Sequence, residues 1–237
     1  MSDQFERPQQ QQGRRGLRVL LVRHGESVAN VKDVVAGQRT CQGLSRLGHA
    51  QAQAVAEHLA TEEAGRIVAV YSTPLRRAVQ TAEPIARAYG LPVLRKLAAP
   101  YYGAAEGQPW MRVLASHDPP IALTPDRPIA PGAEPWSSWV ARLGANFERI
   151  TRSHHDGQTV VLVCHRESIL GIEQYLYRAL HSLAYVTAPA ANCSITSWQR
   201  QRVGPKASRW ERKGHNYIDH LASLSPMRAG SVRGSRS

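Results

Sequence analysis

The chain has 237 residues and three cysteines, none in a CxxC pair, which suits one large domain and argues against a disulfide framework or a thiolate zinc site. Its formal net charge of +12 and pI near 10.3 favour an anionic partner, but the sequence carries no nucleic-acid-binding signature, so we expect no nucleic acid partner. No apolar stretch reaches the roughly eighteen residues that span a bilayer, and residues 1–16 lack the apolar region of a secretory signal, so we expect a cytoplasmic protein with no membrane partner.

The N-terminal tail, residues 1–16, is rich in Gln, and we expect it to be disordered. The apolar run 17–22 is typical of a strand buried on both faces. Helical periodicity follows over about 44–60, with Ser45 as a candidate N-cap. The run IVAVY at 67–71 predicts a second strand.

In the second part of the chain, Pro74 is predicted to open a helix that runs to residue 88. A short third strand is predicted over 91–94. Further predicted elements are a helix over about 135–152, a strand over 159–164, a helix over about 167–180 and a strand over 193–198.

Residues 100–135 interrupt this alternation with many prolines and glycines, and we expect them to form an insertion over one end of the sheet. The C-terminal residues, 222–237, predict a disordered basic tail. Between the tails, strands that alternate with helices predict one domain over 17–221. Its fold class is α/β, a three-layer α/β/α arrangement with a mostly parallel central sheet and an inserted lid region.

Polar side chains stand directly after three of the predicted strands. Arg23 and His24 follow the first strand, residues 72–77 follow the second, and His165 follows TVVLVC. Because ligands bind beyond the carboxyl ends of parallel strands, these groups are expected to converge. Arginine binds phosphate through two parallel donors, and an imidazole can attack and carry a phosphoryl group. A single histidine at a strand end is more often structural, and paired histidines also suit a metal. However, no carboxylate stands at ligand spacing, and nearby arginines would repel a cation.

Seven motifs, in chain order, resemble those of the histidine phosphatases, also called phosphoglycerate mutase-like proteins. The resemblance covers about residues 17–221. The motifs are LVRHGESVAN, GLSRLGHAQAQAVAEHL, VYSTPLRRAVQTAEPIA, GAAEG, VLVCHRESI, NCSI, and the segment from Asn216 to Leu221.

This resemblance implies that His24 is a nucleophile that becomes phosphohistidine, while His165 stabilises charge on the transferring group. It implies that Arg23, Arg77 and Asn30 hold the phosphoryl oxygens. We expect the arginine charges to lower the pKa of His24 and keep it neutral, and we therefore expect the reaction to need no metal and no cofactor. Four further residues are expected to bind the phosphorylated small-molecule substrate: Gly37, Gln38, Glu106 and Arg166.

The sequence departs from the family at the position of the usual general acid, a Glu four residues before Gly103, where this chain has Ala99. Loss of a positioned acid typically costs about a hundred- to ten-thousand-fold in rate. Four explanations stay open. The leaving group departs unprotonated, another acid (Glu26, Glu106 or Glu167) has taken over, the usual Glu was replaced by engineering, or the protein is repurposed.

The predicted function is therefore a metal-independent phosphatase of a phosphorylated small molecule. Its main rival is a repurposed or catalytically impaired family member that binds a phosphate or diphosphate ligand or catalyses a different reaction. A second rival is a phosphomutase. The aromatic residues at 101–139 either form an apolar lid for a bulky substrate or pack beneath the insertion, and we favour packing. The oligomeric state stays open, with a homodimer as one option.

Overall fold

A computed structural model describes residues 16–179, 189–204 and 207–224. Residues 1–15 and 225–237, which hold most of the two predicted tails, lie outside the described residues. A 3-10 helix spans Asp219–Leu224 and so continues three residues past the predicted domain boundary at 221. The buried side chain of Leu221 and the partly buried side chain of Leu224 pack against the core.

Within the described residues the strands form one six-stranded sheet in the order β3-β2-β4-β1-β5-β6. The first four strands pair in parallel, whereas β5 and β6 are antiparallel, so the prediction of a mostly parallel sheet is confirmed. The strands are β1 (Arg18–Arg23), β2 (Ile67–Ser72), β3 (Val93–Leu94), β4 (Thr159–Cys164), β5 (Ile195–Arg202) and β6 (Ser208–Tyr217).

The helices cover both faces of this sheet. Successive side chains of β4 point to opposite faces, so that Leu162 packs in one core cluster and Val163 in the other. The helices are α1 (Val28–Val31), α2 (Arg46–Glu62), α3 (Arg76–Ala88), α4 (Trp110–Ala115), α5 (Trp136–Arg152) and α6 (Arg166–Leu176). Side chains of α5 and α6 complete the first cluster, and those of α2 and α3 complete the second. The predicted three-layer architecture is confirmed.

The insertion carries α4, two 3-10 turns (Gly103–Ala105 and Ile121–Leu123) and a small hydrophobic core of its own. This third cluster joins the insertion to the loop after α1 through Val35. Two isolated β-bridges, Val34 with Pro109 and Tyr102 with Ala133, tie the segment down. Its buried members are Val35, Tyr102, Ala105, Val113, Ile121 and Ile129.

Several element boundaries differ from the prediction. The strand predicted over 193–198 begins at Ile195 and continues to Arg202. Helix α6 ends at Leu176, before the predicted end near residue 180, which lies outside the described part. Strand β6 was not predicted, because its sequence SRWERKGHNY lacks an apolar run. It is the edge strand of a hairpin, so one of its faces meets water and tolerates charge. None of the helices in the described segments has the length and apolar character required to cross a bilayer.

The loop after β1 lies directly against the first turn of α2. Its close approach depends on two glycines, since a Cβ on Gly48 would lie 1.9 Å from the carbonyl oxygen of Glu26, and a Cβ on Gly25 would lie 2.5 Å from that of Gly48. Ser45 caps α2 as predicted, accepting from the backbone N–H of Gly48 at 3.0 Å. This contact fixes the backbone on either side of Gly25.

We therefore expect Gly48→Ala to lower the free energy of unfolding by about 3 kcal/mol, because the new methyl group meets backbone that cannot rotate away. Urea unfolding measures the change. Gln53→Ala on the exposed face of the same helix is the control and should shift stability by less than about 0.5 kcal/mol. The close-approach argument fails if Gly48→Ala instead stabilises the protein by about 1 kcal/mol, as Gly→Ala does in an open helix.

Candidate active site

A cavity of about 240 Å³ opens at the carboxyl end of β1, between the loop after that strand and the insertion. Its polar floor contains Arg23, His24 and Arg77, and Arg166 lies beside them. Fully buried His165 packs against His24, with 5.2 Å between the ring centroids. The structure thus brings together the four residues predicted to be catalytic.

His24 follows β1, and its backbone N–H donates to the carbonyl oxygen of Cys164 at 2.9 Å, which extends the ladder with β4. Its Nδ1–H donates to the carbonyl oxygen of Gly25 at 2.7 Å, and its Nε2 accepts from Nε of Arg77 at 3.1 Å. Both contacts require the neutral tautomer with the proton on Nδ1. Nε2 therefore carries the free electron pair.

His165 occupies the equivalent position after β4. Its Nδ1 accepts from Nη2 of Arg77 at 3.2 Å, and its Nε2 lies 2.9 Å from the hydroxyl oxygen of Thr73, which follows β2. Hydrogen bonds thus connect the ends of three strands. Thr73 belongs to the segment predicted to follow the second strand, but its role was not predicted, since a lone hydroxyl carries no signal of its own.

The electrostatic environment opposes protonation of both histidines. Burial, and next the positive charge of Arg77, hold the pKa of His24 well below its usual range, and His165 and Arg23 act in the same direction. Burial followed by the charges of Arg77 and Arg23 likewise depresses the pKa of His165. Both imidazoles are therefore neutral at neutral pH.

Two guanidinium groups hold donors that have no acceptor within the described residues. Nη1 of Arg77 and Nε of Arg23 are buried without a hydrogen-bond partner there, although Arg23 also donates to the carbonyl oxygen of Ala190. Buried charged donors without an acceptor are costly, and an anion between them would remove that cost. A tetrahedral dianion such as a phosphoryl group suits this geometry.

Asn30 also lines the cavity, and its position is set by local hydrogen bonds. Its Oδ1 accepts from the backbone N–H of Ser27 at 3.1 Å in a capping box at α1. Nδ2 of Asn192 donates to the same oxygen at 3.3 Å and to the carbonyl oxygen of His24 at 3.0 Å. Asn192 was quoted in a motif but was not identified as a site residue.

Three predicted substrate-binding residues lie outside this cavity. The carboxylate of Glu106 accepts from the backbone N–H groups of Arg39 and Thr40 at 3.0 and 3.2 Å, so it ties the insertion to a neighbouring loop. Gly37 packs against that side chain. A Cβ at this position would lie 2.3 Å from a carboxylate oxygen of Glu106. Gln38 lines a separate depression beside Tyr101.

The cavity wall contains two carboxylates, Glu167 and Asp33. Glu167 accepts from Arg166 at 3.3 Å, whereas Asp33 was not anticipated from the sequence. Ala99 is buried outside the cavity lining. Of the other two candidate acids, Glu106 is bound as described, and Glu26 accepts from the hydroxyl of Ser45 at 2.6 Å. Nowhere in the described ranges do three or more His, Cys, Asp or Glu side chains form a group that could hold a metal ion.

Comparison with known proteins places these observations in a family. Residues 19–213 match the family model described as the histidine phosphatase superfamily, branch 1. A metal-independent phosphoserine phosphatase of Arabidopsis thaliana is 28% identical over 221 residues, 90% of this chain and 86% of the relative. Phosphoglycerate mutase-like protein 4 of the same plant is 31% identical and covers 90% of each chain.

Solved structures share the fold. A mycobacterial glucosyl-3-phosphoglycerate phosphatase, in complex with VO3, is similar with a TM-score of 0.71 and 23% identity, covering 85% of this chain and 99% of that one. A phosphoserine phosphatase mutant from Entamoeba histolytica, in complex with phosphoserine, has a TM-score of 0.69 and 22% identity, covering 86% and 99%.

The hydrogen bonds predict how His24 titrates. Because burial and Arg77 disfavour the charged ring, the Nδ1-protonated neutral form should persist well below pH 6.5, where a histidine in a reference peptide is half protonated. Long-range ¹H–¹⁵N spectra between pH 7 and pH 5 measure this, with His24→Gln to assign the signals. A ring that becomes half protonated near pH 6.5, or a neutral form protonated on Nε2, would contradict the described hydrogen bonds.

Proposed function

Because the chain belongs to branch 1 of the histidine phosphatase superfamily, we propose that it hydrolyses a phosphorylated small molecule through a phosphohistidine on Nε2 of His24. One observation carries the proposal. Two buried guanidinium groups, those of Arg23 and Arg77, hold unused donors beside a neutral imidazole whose unprotonated Nε2 accepts a hydrogen bond from Nε of Arg77. The relatives named as phosphatases support a hydrolytic activity.

In the first step, the phosphoryl oxygens accept hydrogen bonds from Nη1 of Arg77 and Nε of Arg23. Nε2 of His24 exchanges its contact with Nε of Arg77 for a bond to phosphorus, while the bond from phosphorus to the leaving oxygen breaks. The leaving oxygen takes the electron pair. Fixed positive charge around the equatorial oxygens lowers the barrier without any metal ion.

His165 can assist because Thr73 tolerates either of its neutral tautomers. Without substrate, Nδ1 accepts from Arg77, so Nε2–H donates to the Thr73 hydroxyl. When Arg77 turns to the phosphoryl group, Nδ1 of His165 can carry the proton and donate to a phosphoryl oxygen. The threonine hydroxyl then donates to Nε2, because a hydroxyl both donates and accepts.

In the second step, water attacks the phosphorus of phosphohistidine, and the electron pair of the broken P–N bond returns to Nε2. The departing alcohol and the attacking water both need a proton partner. We assign this role to Glu167, since of the three predicted replacements for the missing acid it alone lines the cavity. The carboxyl donates to the leaving oxygen and then accepts a proton from water.

The first test is hydrolysis of p-nitrophenyl phosphate, whose good leaving group needs little help from an acid. The chain should be active, and His24→Ala should lower kcat by at least about a thousandfold. After incubation with a ³²P-labelled phosphate ester, the chain should carry acid-labile ³²P, whereas the His24→Ala variant should not. His155→Ala, at an exposed position away from the cavity, is the matched control. If the chain binds phosphate yet neither turns over substrate nor becomes labelled, the repurposed, binding-only alternative replaces the phosphatase.

A second test concerns proton transfer. Glu167→Gln should lower kcat for phenyl phosphate by about a hundredfold, but should have a much smaller effect on p-nitrophenyl phosphate, because only the more basic leaving oxygen requires a proton. Glu106→Gln is the comparison variant, and any loss it causes should be the same for both substrates, since its carboxylate lies outside the cavity. An equal loss for both substrates in Glu167→Gln would remove its assignment as the acid.

A further inference from the structure

We propose that the leaving group of the substrate is apolar and uncharged, of the size of an aryl alcohol, and that it binds against a wall formed by Trp110, Met111 and Leu114. These three residues of α4 are called the apolar wall. The inference rests on the proposed phosphatase function and names the substrate class of the same cavity. It follows from the shape, the charge and the missing acid of that cavity.

The apolar wall lines the same cavity as the polar floor. Trp110 and Leu114 are four residues apart and thus share one side of α4, while Val113 points into the core of the insertion. Met111 is 69% exposed and Leu114 is 38% exposed, although both are large hydrophobic side chains. Hydrophobic side chains that line a cavity and also meet water commonly mark a binding surface.

Other cavity residues extend the same surface. Val34 and Ala36 line it from the loop after α1. The ring of Tyr102 is buried and packs edge-on against Trp110, with centroids 5.8 Å apart. This contact holds the indole in place. Of the aromatic residues considered as a lid, Trp136 and Trp139 pack in the main core and Tyr102 in the core of the insertion, whereas Trp110 both packs against that core and lines the cavity.

The charges at the cavity wall disfavour a leaving group that carries a carboxylate. Asp33 and Glu167 both lie there, and among the described lining residues only Arg166 adds a cation beyond the two arginines of the floor. Nη2 of Arg166 lies 3.3 Å from Oε1 of Glu167, so the carboxylate partly neutralises the charge of the arginine. While Glu167 is ionised it pairs with Arg166, so a leaving-group carboxylate near this wall would meet Asp33 and no unpaired cation beyond the two arginines of the floor.

The chemistry of departure agrees with this assignment. With Ala99 at the usual acid position, the chain has lost the family's standard proton donor to the leaving oxygen. An aryl oxygen holds the electron pair of the broken P–O bond better than an alkyl oxygen, since its charge is delocalised over the ring. An aryl phosphate would therefore pack its ring against the apolar wall, and its leaving oxygen would also need a proton less.

The test compares four phenol-derived phosphates whose leaving oxygens differ little in basicity. They are phenyl phosphate, 2-naphthyl phosphate, 4-(carboxymethyl)phenyl phosphate and 4-(2-aminoethyl)phenyl phosphate. We expect kcat/KM to be highest for the naphthyl ester and at least about tenfold lower for each charged ester, because a charge of either sign would lose hydration against the apolar wall. The doubly substituted M111Q/L114Q variant should reduce the naphthyl value by about tenfold and leave inhibition by orthophosphate unchanged, because the floor is intact.

Leu123→Gln, which replaces an exposed leucine of the insertion outside the cavity, is the control and should keep the naphthyl preference. If the carboxymethyl or aminoethyl ester is preferred, or if M111Q/L114Q keeps the naphthyl preference, the apolar-wall proposal is overturned while the phosphatase stands. If none of the esters is hydrolysed and His24 takes up no phosphoryl group, the proposed function itself fails, and the inference with it.

Discussion

The candidate site depends on one guanidinium group. Arg77 donates through Nε to His24 and through Nη2 to His165, so a single planar side chain sets the distance and orientation of both imidazoles. Because arginine keeps its proton throughout the accessible pH range, these contacts also require both rings to be acceptors. Together with burial, the first turn of α3 thereby keeps the histidines that follow β1 and β4 neutral. Thr81, one turn later, accepts from the backbone N–H of Gly25 at 3.0 Å and secures the same loop.

This constraint explains why the site is assembled from strand ends that are distant in sequence. Parallel pairing of β1 and β2 with β4 places the residues that follow them at one edge of the sheet, and the helices that begin there supply Arg77 and Arg166. The cost of burying Arg23 and Arg77 with unused donors is met by the packed layers on both faces. Such donors lack acceptors among the described residues, so an anion bound beside them would remove this cost.

The sequence was most informative where burial is complete. Strand β4 has the predicted bounds because six successive buried residues leave an apolar run, whereas β6 was missed because this edge strand has no buried residue and its sequence has no apolar run. The placement of His24 at a strand end was predictable for the same reason. The position of Glu106 was not predictable, because a motif identifies a carboxylate but does not show whether it faces a cavity or connects two loops. Contacts between distant loops, such as the bridge between Val34 and Pro109, have no local signature.

The small separate core of the insertion has a consequence for how such a protein changes over evolutionary time. Val113 and Ile121 anchor the insertion through contacts among its own residues and the loop at Val35, apart from the two clusters that flank the sheet. Substitutions on the cavity side of α4 can therefore accumulate while the arginines and histidines beneath keep their packing. The leaving group that is bound can thus change while the residues that handle phosphate stay the same. One ancestral scaffold can therefore give rise to descendants that act on unrelated substrates.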